Sequence, residues 1–502
     1  MLRRLLPLAL ATFAVGTDSY VIAGLLPAMA ADLDVSTPAA GQLVTVFALV
    51  MALSAPVMGA LTSALDRRSA LLIALSVFVV GNAATALATS YEVVMIARVV
   101  TAIGAGTINS AASSAAGAIA PPERRGRALA FVLGGLTLAT ALGLPLGTLI
   151  GRSDWHITLW AVAGIGLVAA LGIAVGLPKM TLPAASLGDR LRPLKQGRVL
   201  ALLAVTTLAF LGAYTLYTYI GPALRDATGG SESWFTVVLL VWGIGILAGN
   251  IVAGRLVDRH DPARVLTAPL ALAALALAFT PVATDTLAST LVWAAIWGVA
   301  LGVIVVPQQH RLIALSPAAA PILLGLNSSA IYVGIALGGG LGGAVQEWFA
   351  IAPVTLGLPA AGVTTLALLY HLTTTRRRPP EPRPTPSAPP YDFTDWPEDW
   401  QAAVRAEHPA YDPRVSEADH NNGRLPEALR RWPGAVRSRH PDASFAALGP
   451  AAHALMDDHP WDDPHGPDSP LARLAARGGR VLMLGAPLEA LTLLHHAATF
   501  SR

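Results

Sequence analysis

The 502-residue sequence predicts an all-α membrane protein of twelve transmembrane helices in two pseudo-symmetric six-helix bundles, followed by a small, incomplete α/β segment. Three observations predict this. Long apolar runs recur through most of the chain, basic residues favour alternate connections, and composition changes abruptly near residue 373. Overall 54% of residues are hydrophobic and 13% charged, with a mean hydropathy of +0.56. Soluble domains carry about 25% charged residues. Up to Leu372 the chain is mostly Leu, Ala, Val, Gly and Ile; from Thr373 Pro, Asp, Arg and His become frequent. The two parts are therefore suited to different solvents.

A bilayer core about 30 Å thick needs about 20 residues of apolar helix. In the first half such stretches run over Leu5–Ala30, Gly41–Leu65, Ala70–Thr89, Val93–Ala120, Ala128–Ile150 and Ile157–Leu177. In the second half they run over Val199–Ile220, Trp234–Ala253, Val265–Val282, Leu287–Val306, Ala320–Val345 and Ile351–Leu372. The basic, apolar start of the chain is similar to a signal peptide. Its apolar run continues past Asp18 to Ala30 without a small-residue cleavage site, so it is expected to remain as the first span.

Basic residues set the orientation, because loops rich in Lys and Arg stay cytoplasmic. One side carries Arg67, Arg68, Arg124, Arg125, Arg127, the stretch Lys179 to Arg198, Arg255, Arg259, Arg264 and Arg311. Arg3, Arg4 and the run Arg376 to Arg378 fall on that side too, whereas the opposite loops hold Arg152 and Arg225. Both termini are thus expected in the cytoplasm of a cell bound by this inner or plasma membrane, which requires an even number of spans. The connection 178–198 divides the spans into an N-terminal bundle (1–178), a cytoplasmic central loop (179–198) and a C-terminal bundle (199–372). A Pro/Arg-rich linker (373–394) and a soluble segment (395–502) follow. Two six-helix repeats around a midplane site are a common layout for secondary transporters.

Ionisable groups inside a span are expensive and tend to be functional, at about 2.5–3.5 kcal/mol each on insertion scales. Asp18 in the first span and Arg98 in the fourth are the candidates. A desolvated carboxylate can load and release a proton, whereas a guanidinium keeps its charge. The two are expected to interact, with the ordinary alternative that Asp18 sits near the outer end of the first span, paired or solvated.

Further motifs surround this pair. Asp66, Arg67 and Arg68 follow the second span, and Gly254, Asp258 and Arg259 echo them after the eighth. Gly104 and Gly106 follow Arg98, and Gly143, Pro145, Gly147 and Gly151 punctuate the fifth span. Small residues at this spacing let helices approach closely, and Pro145 removes a backbone donor and bends the helix. Gly334, Gly338, Gly342 and Gly343 form a matching face in the eleventh span. With these motifs, residues 1 to about 372 resemble the proton-coupled drug-efflux branch of the major facilitator superfamily. The resemblance implies gating loops at Asp66 to Arg68 and Gly254 to Arg259, proton coupling through the helix-four motif of Arg98, Gly104 and Gly106, and an antiporter motif in the fifth span. The first gating loop departs from the family pattern, with Thr62 and Ser69 where Gly is usual.

Asn109, Asn250, Asn327, Gln308, Tyr214, Tyr217, Trp242 and Trp297 are candidates to line a cavity, although Trp and Tyr also gather at membrane interfaces. The scarcity of charge in the second half favours a hydrophobic or weakly polar small molecule. Transport needs no cofactor beyond a proton gradient; the expected partners are the lipid bilayer, protons and the substrate. No cysteine is present, which excludes disulfides and thiolate metal sites.

The linker favours extended polyproline conformations, and its Arg run suits anionic lipid headgroups better than nucleic acid. Beyond it, ASFAALG and RVLMLG read as strands among helical stretches. Arg431-Trp432-Pro433-Gly434, Ser469-Pro470-Leu471-Ala472 and the stretch Leu484 to His496 resemble the middle of an aminoglycoside 3-N-acetyltransferase, over about 395 to 498. That resemblance implies His495 as the base that deprotonates the sugar amine, Asp442 as its acidic partner, and acetyl-CoA as cofactor if the segment is active. An aminoglycoside would then be a partner, drawn by Asp457, Asp458, Asp462 and Asp463. The match covers some two-fifths of such an enzyme, and half an α/β sheet leaves open edges, so independent catalysis is not expected. His453, His459 and His465 read as solvated loop rather than metal ligands. The competing readings are a membrane-tethered acetyltransferase and a sugar or nucleoside exporter on the same scaffold.

Overall fold

The computed structural model describes residues 2–62, 65–121, 124–180, 186–316, 319–376, 445–447 and 482–484. The N-terminal bundle comprises α1 (Leu2–Asp32), α2 (Thr37–Leu61), α3 (Arg67–Leu87), α4 (Tyr91–Ile119), α5 and α6 (Trp155–Gly176). The fifth span, α5, is three consecutive pieces: an α-helix Arg125–Leu138, a π-helical turn Ala139–Gly143, and an α-helix Leu144–Ile150. The C-terminal bundle comprises α7 (Gly197–Tyr217), α8 (Glu232–Val257), α9 (Pro262–Ala278), α10 (Leu287–Leu315), α11 (Ala320–Phe349) and α12 (Gly357–Arg376). Eleven of these are long and apolar enough to cross a bilayer; α9, at 17 residues, is the short one.

Local chemistry starts these helices where loops end. Side-chain oxygens of Ser36, Asp66, Ser90, Asp154, Ser231, Asp261 and Thr286 accept backbone N–H bonds at the heads of α2, α3, α4, α6, α8, α9 and α10. Each satisfies a donor that the first helical turn leaves free.

Several predicted edges move. Arg67 and Arg68, read as loop, form the first turn of α3, because Asp66 takes the cap. The tenth span, expected to end at Val306, continues through Pro307 to Leu315 and carries Arg311 inside the helix. The last span begins only after a 3₁₀ turn at Pro353–Leu356. Just before Pro145, where a bend was expected, the fifth span takes a π-helical turn. Proline supplies no N–H and crowds the carbonyl four residues back, and a wider i→i+5 turn accommodates both.

Small residues bring α11 against α7. A Cβ on Gly334, Gly338 or Gly342 would meet the α7 main chain at Thr207, Leu211 or Thr215. Gly343 faces Gln42 of α2 and Tyr219 instead. Close contacts joining the two bundles gather in the halves of the spans remote from the basic loops. Gly24 lies near Leu239, Pro27 against Gly221, Thr45 against Gly339, and the Thr140–Ala141 backbone against Gly243.

Residues 378–502 form a separate compact unit. Within it β1 (Phe445–Ala447) and β2 (Leu482–Leu484) pair in parallel, with Phe445 opposite Leu482. Both lie inside the stretches predicted as strands. Parallel pairing needs a crossover connection of a dozen or more residues.

Candidate functional site

Asp18 sits mid-way along α1 and Arg98 early in α4, and both side chains are buried, 0% and 1% exposed. Arg98 Nη1 donates to Asp18 Oδ1 at 2.8 Å. Asp18 is therefore neither solvated nor at a helix end, and the interaction expected between the two residues is present. Among the described residues the pair is joined by one hydrogen bond, and Asp18 Oδ2 and Arg98 Nε have no hydrogen-bond partner. Arg98 also lies over the ring of Phe47 in α2, 4.0 Å from its centroid.

The fifth span packs directly on this site. A Cβ on Gly143 would meet the Thr17 hydroxyl, next to Asp18, while Gly147 faces Val21 and Gly151 faces Leu25. Pro145 is buried between them. Gly104 and Gly106 of α4 meet α3 at Phe78 and α2 at Ser54.

Across the bundle boundary Tyr332 of α11 reaches toward Ser19 and Asn109, and the Tyr217 hydroxyl donates to the Tyr20 carbonyl at 3.4 Å. Tyr217 stacks on Trp242 with centroids 4.6 Å apart; Trp297 lies 5.6 Å from Trp242 and 5.0 Å from Trp293. These rings line an apolar cavity of about 10 Å³, room for about one water molecule. Four of the eight cavity candidates, Tyr214, Tyr217, Trp242 and Trp297, thus belong to one aromatic cluster.

Gln308 and Asn327 belong elsewhere. Gln308 donates to Leu202 O and Thr206 Oγ1, Thr206 donates to Asn327 Oδ1, and Arg311 donates to Gln308 Oε1. His371 Nδ1 lies 3.1 Å from Arg311 and its Nε2 lies 3.0 Å from Ala263 O. This network ties α7, α9, α10, α11 and α12 together toward their basic ends. Asn250 is half-buried on α8.

At the head of α3 the Ser69 side chain and its backbone N–H, the latter at 3.1 Å from Asp66 Oδ1, lower the Asp66 carboxyl from its ordinary pKa. Arg67 is buried, and its N–H donates to Met180 O. Arg190 of the central loop donates to Gly59 O at 3.0 Å. In the second copy Asp258 closes α8 while Asp261 caps α9, so the copies differ in which acid starts the next helix. Gly254 has open space around it, and Arg259 lies in the turn after α8. Because the Asp66 pKa is lowered, its cap contributes stability above the unfolded value and loses it as pH falls through the folded one. Asp66→Ala is expected to lower the melting temperature in detergent at pH 7, a difference that fades below about pH 4.

His495 and Asp442, like His453, His459 and His465, lie outside the described residues. Sequence reasoning missed Phe47, Tyr332, Trp293 and His371. A histidine late in an apolar span was a usable signal for the last; an apolar ring such as Phe47 offers none.

The Major Facilitator Superfamily model matches residues 8–309 and 202–432, and the Aminoglycoside 3-N-acetyltransferase model matches 383–501. The inner membrane transport protein YdhP of Escherichia coli (strain K12) is 33% identical over 380 residues, covering 75% of this chain and 96% of that protein. A chloramphenicol resistance protein of Streptomyces lividans is 38% identical over 265 residues, 52% of this chain and 67% of that protein. Aminoglycoside N(3)-acetyltransferase VII of Streptomyces paromomycinus is 87% identical over 110 residues, 22% of this chain. The chain spans 38–40% of the length of the three curated acetyltransferase relatives it matches. Among solved structures, a D-xylose–proton symporter superposes with a TM-score of 0.62 at 16% identity, over 74% of this chain and 96% of the other.

Proposed function

The chain belongs to the Major Facilitator Superfamily, and on that premise we propose that its membrane region exports small amphipathic compounds, antibiotics among them, in exchange for protons. The observation that carries this reading is the buried Asp18–Arg98 pair, joined between α1 and α4 by one hydrogen bond, with the second carboxylate oxygen buried and without a hydrogen-bond partner among the described residues. A proton arriving at Asp18 neutralises the acid and removes the ionic part of its hold on Arg98, leaving only a neutral acceptor facing the guanidinium. Thr17, one residue earlier, abuts Gly143 of the fifth span, whose backbone abuts Gly243 of α8, the neighbour of Trp242. Protonation of Asp18 is thereby linked by packing to the aromatic cluster, which would hold the apolar part of a substrate. With the basic ends in the cytoplasm, the contacts that gather at the opposite ends support reading this conformation as cytoplasm-facing.

Drug accumulation in a pump-deficient host tests this. The full chain and a chain ending at Leu372 should both lower chloramphenicol accumulation, and collapse of the proton gradient should restore it. Unchanged accumulation with either chain would sink the proposal. Competition by sugars or nucleosides rather than by drugs would favour the other exporter reading.

A second reading rests on the 87% identity of the tail to an acetyltransferase: a membrane-tethered enzyme that acetylates aminoglycosides, with His495 as base and Asp442 as its partner. It requires the remainder of that enzyme fold. Acetyl-CoA-dependent modification of an aminoglycoside by the full chain, lost in His495→Ala, would support it; no transfer would rule it out.

A further inference from the structure

We propose that Phe47 is a positioning residue for the proton site, the partner that holds the Arg98 guanidinium when Asp18 carries a proton; this rests on the proton-exchange reading above. Arg98 is 1% exposed, and a guanidinium is a cation. As the pair stands, Asp18 gives it one hydrogen bond, and Nε has no hydrogen-bond partner among the described residues. Once Asp18 is neutral, a cation in a desolvated site has lost its anion, and leaving one buried charge unpaired is strongly unfavourable. The face of Phe47, 4.0 Å away and 2% exposed, is the other attractive surface against the guanidinium. Cation–π attraction is strongest when desolvated.

The surroundings of Asp18 leave few other groups to take this role. Arg98 faces it from α4 and Tyr332 from α11, and Tyr20 follows it on α1. The whole of α2, the α5 stretch from residue 139 to 150, and α6 beyond His156 carry no acidic, basic or tyrosine side chain. Phe47 therefore sets how readily the proton-loaded state forms. Without the ring, loading Asp18 strands the cation, so a more acidic medium is needed to reach the same occupancy.

The test is the pH profile of drug–proton exchange by the full chain in liposomes, with chloramphenicol as probe. Phe47→Leu, close in volume, should move the acid limb of the profile down by about one pH unit, while Phe47→Tyr and Phe47→Trp, which keep a π face, should leave it in place. A profile unchanged in Phe47→Leu, or shifted equally in Phe47→Trp, overturns the assignment. Asp18→Asn separates the two failures. If its profile still matches that of the unaltered chain, Asp18 is not the proton site and both proposals fall. If Asp18→Asn flattens the profile while Phe47→Leu does nothing, only the role of Phe47 falls.

Discussion

Asp18→Asn is expected to lower proton-driven efflux by about tenfold or more, the factor that ~1.4 kcal/mol carries, and to leave the residual transport insensitive to pH. Asparagine keeps the shape of the side chain and an oxygen at the position that accepts from Arg98 Nη1, so α1 and α4 stay docked. What it removes is the titration. Arg98 then faces a permanently neutral partner, the electrostatic state that follows proton loading, and the exchanger has no route back. Arg98→Ala should be worse for stability, because it strands a buried carboxylate, a defect worth about 3–5 kcal/mol. The contrast is measured by fluorescence-detected gel filtration of both variants beside chloramphenicol uptake into everted vesicles. Asp18→Asn should give the normal elution profile with little uptake, and Arg98→Ala should lose both. Full pH-dependent uptake by Asp18→Asn would remove Asp18 from the mechanism.

Gly143→Val should cost nearly as much transport, through packing alone. A β-carbon there would collide with the Thr17 hydroxyl, and two added methyl groups would force α5 away from α1 beside the proton site. Overpacking of this kind costs about 1–3 kcal/mol. The milder Gly143→Ala allows a double-mutant cycle with Thr17→Ala, which deletes the hydroxyl in conflict. Neighbouring residues that share a contact couple by about 0.5–3 kcal/mol, so the double variant should export chloramphenicol better than Gly143→Ala alone. Strict additivity would mean that the two helices do not bear on one another there.

Much of the fold was legible in the sequence because a bilayer imposes a single length requirement on every span. Runs of about 20 apolar residues and the placement of Arg67, Arg124, Arg255 and their neighbours suffice for span number, and Pro145 marked where α5 departs from regular α-helix. Asp18 and Arg98 were legible for the same reason, as charges in apolar runs stand out. In the tail, β1 and β2 fall inside the stretches ASFAALG and RVLMLG, which read as strands.

Only the tertiary structure decided which side chains meet. Asp18 and Arg98 are 80 residues apart in the chain, and no periodicity fixes which faces of α1 and α4 turn toward each other. Phe47 is apolar among apolar residues, and its value as a cation's neighbour exists only once Arg98 lies over its ring. Gln308 and Asn327 looked like cavity residues, yet Thr206 and Arg311 bind them into a network toward the basic end. Composition and spacing record how much polar surface a span carries, because burial in lipid is a property of the single helix. Partnership is a property of two helices at once, set by where glycines such as Gly143 and Gly338 let backbones close together.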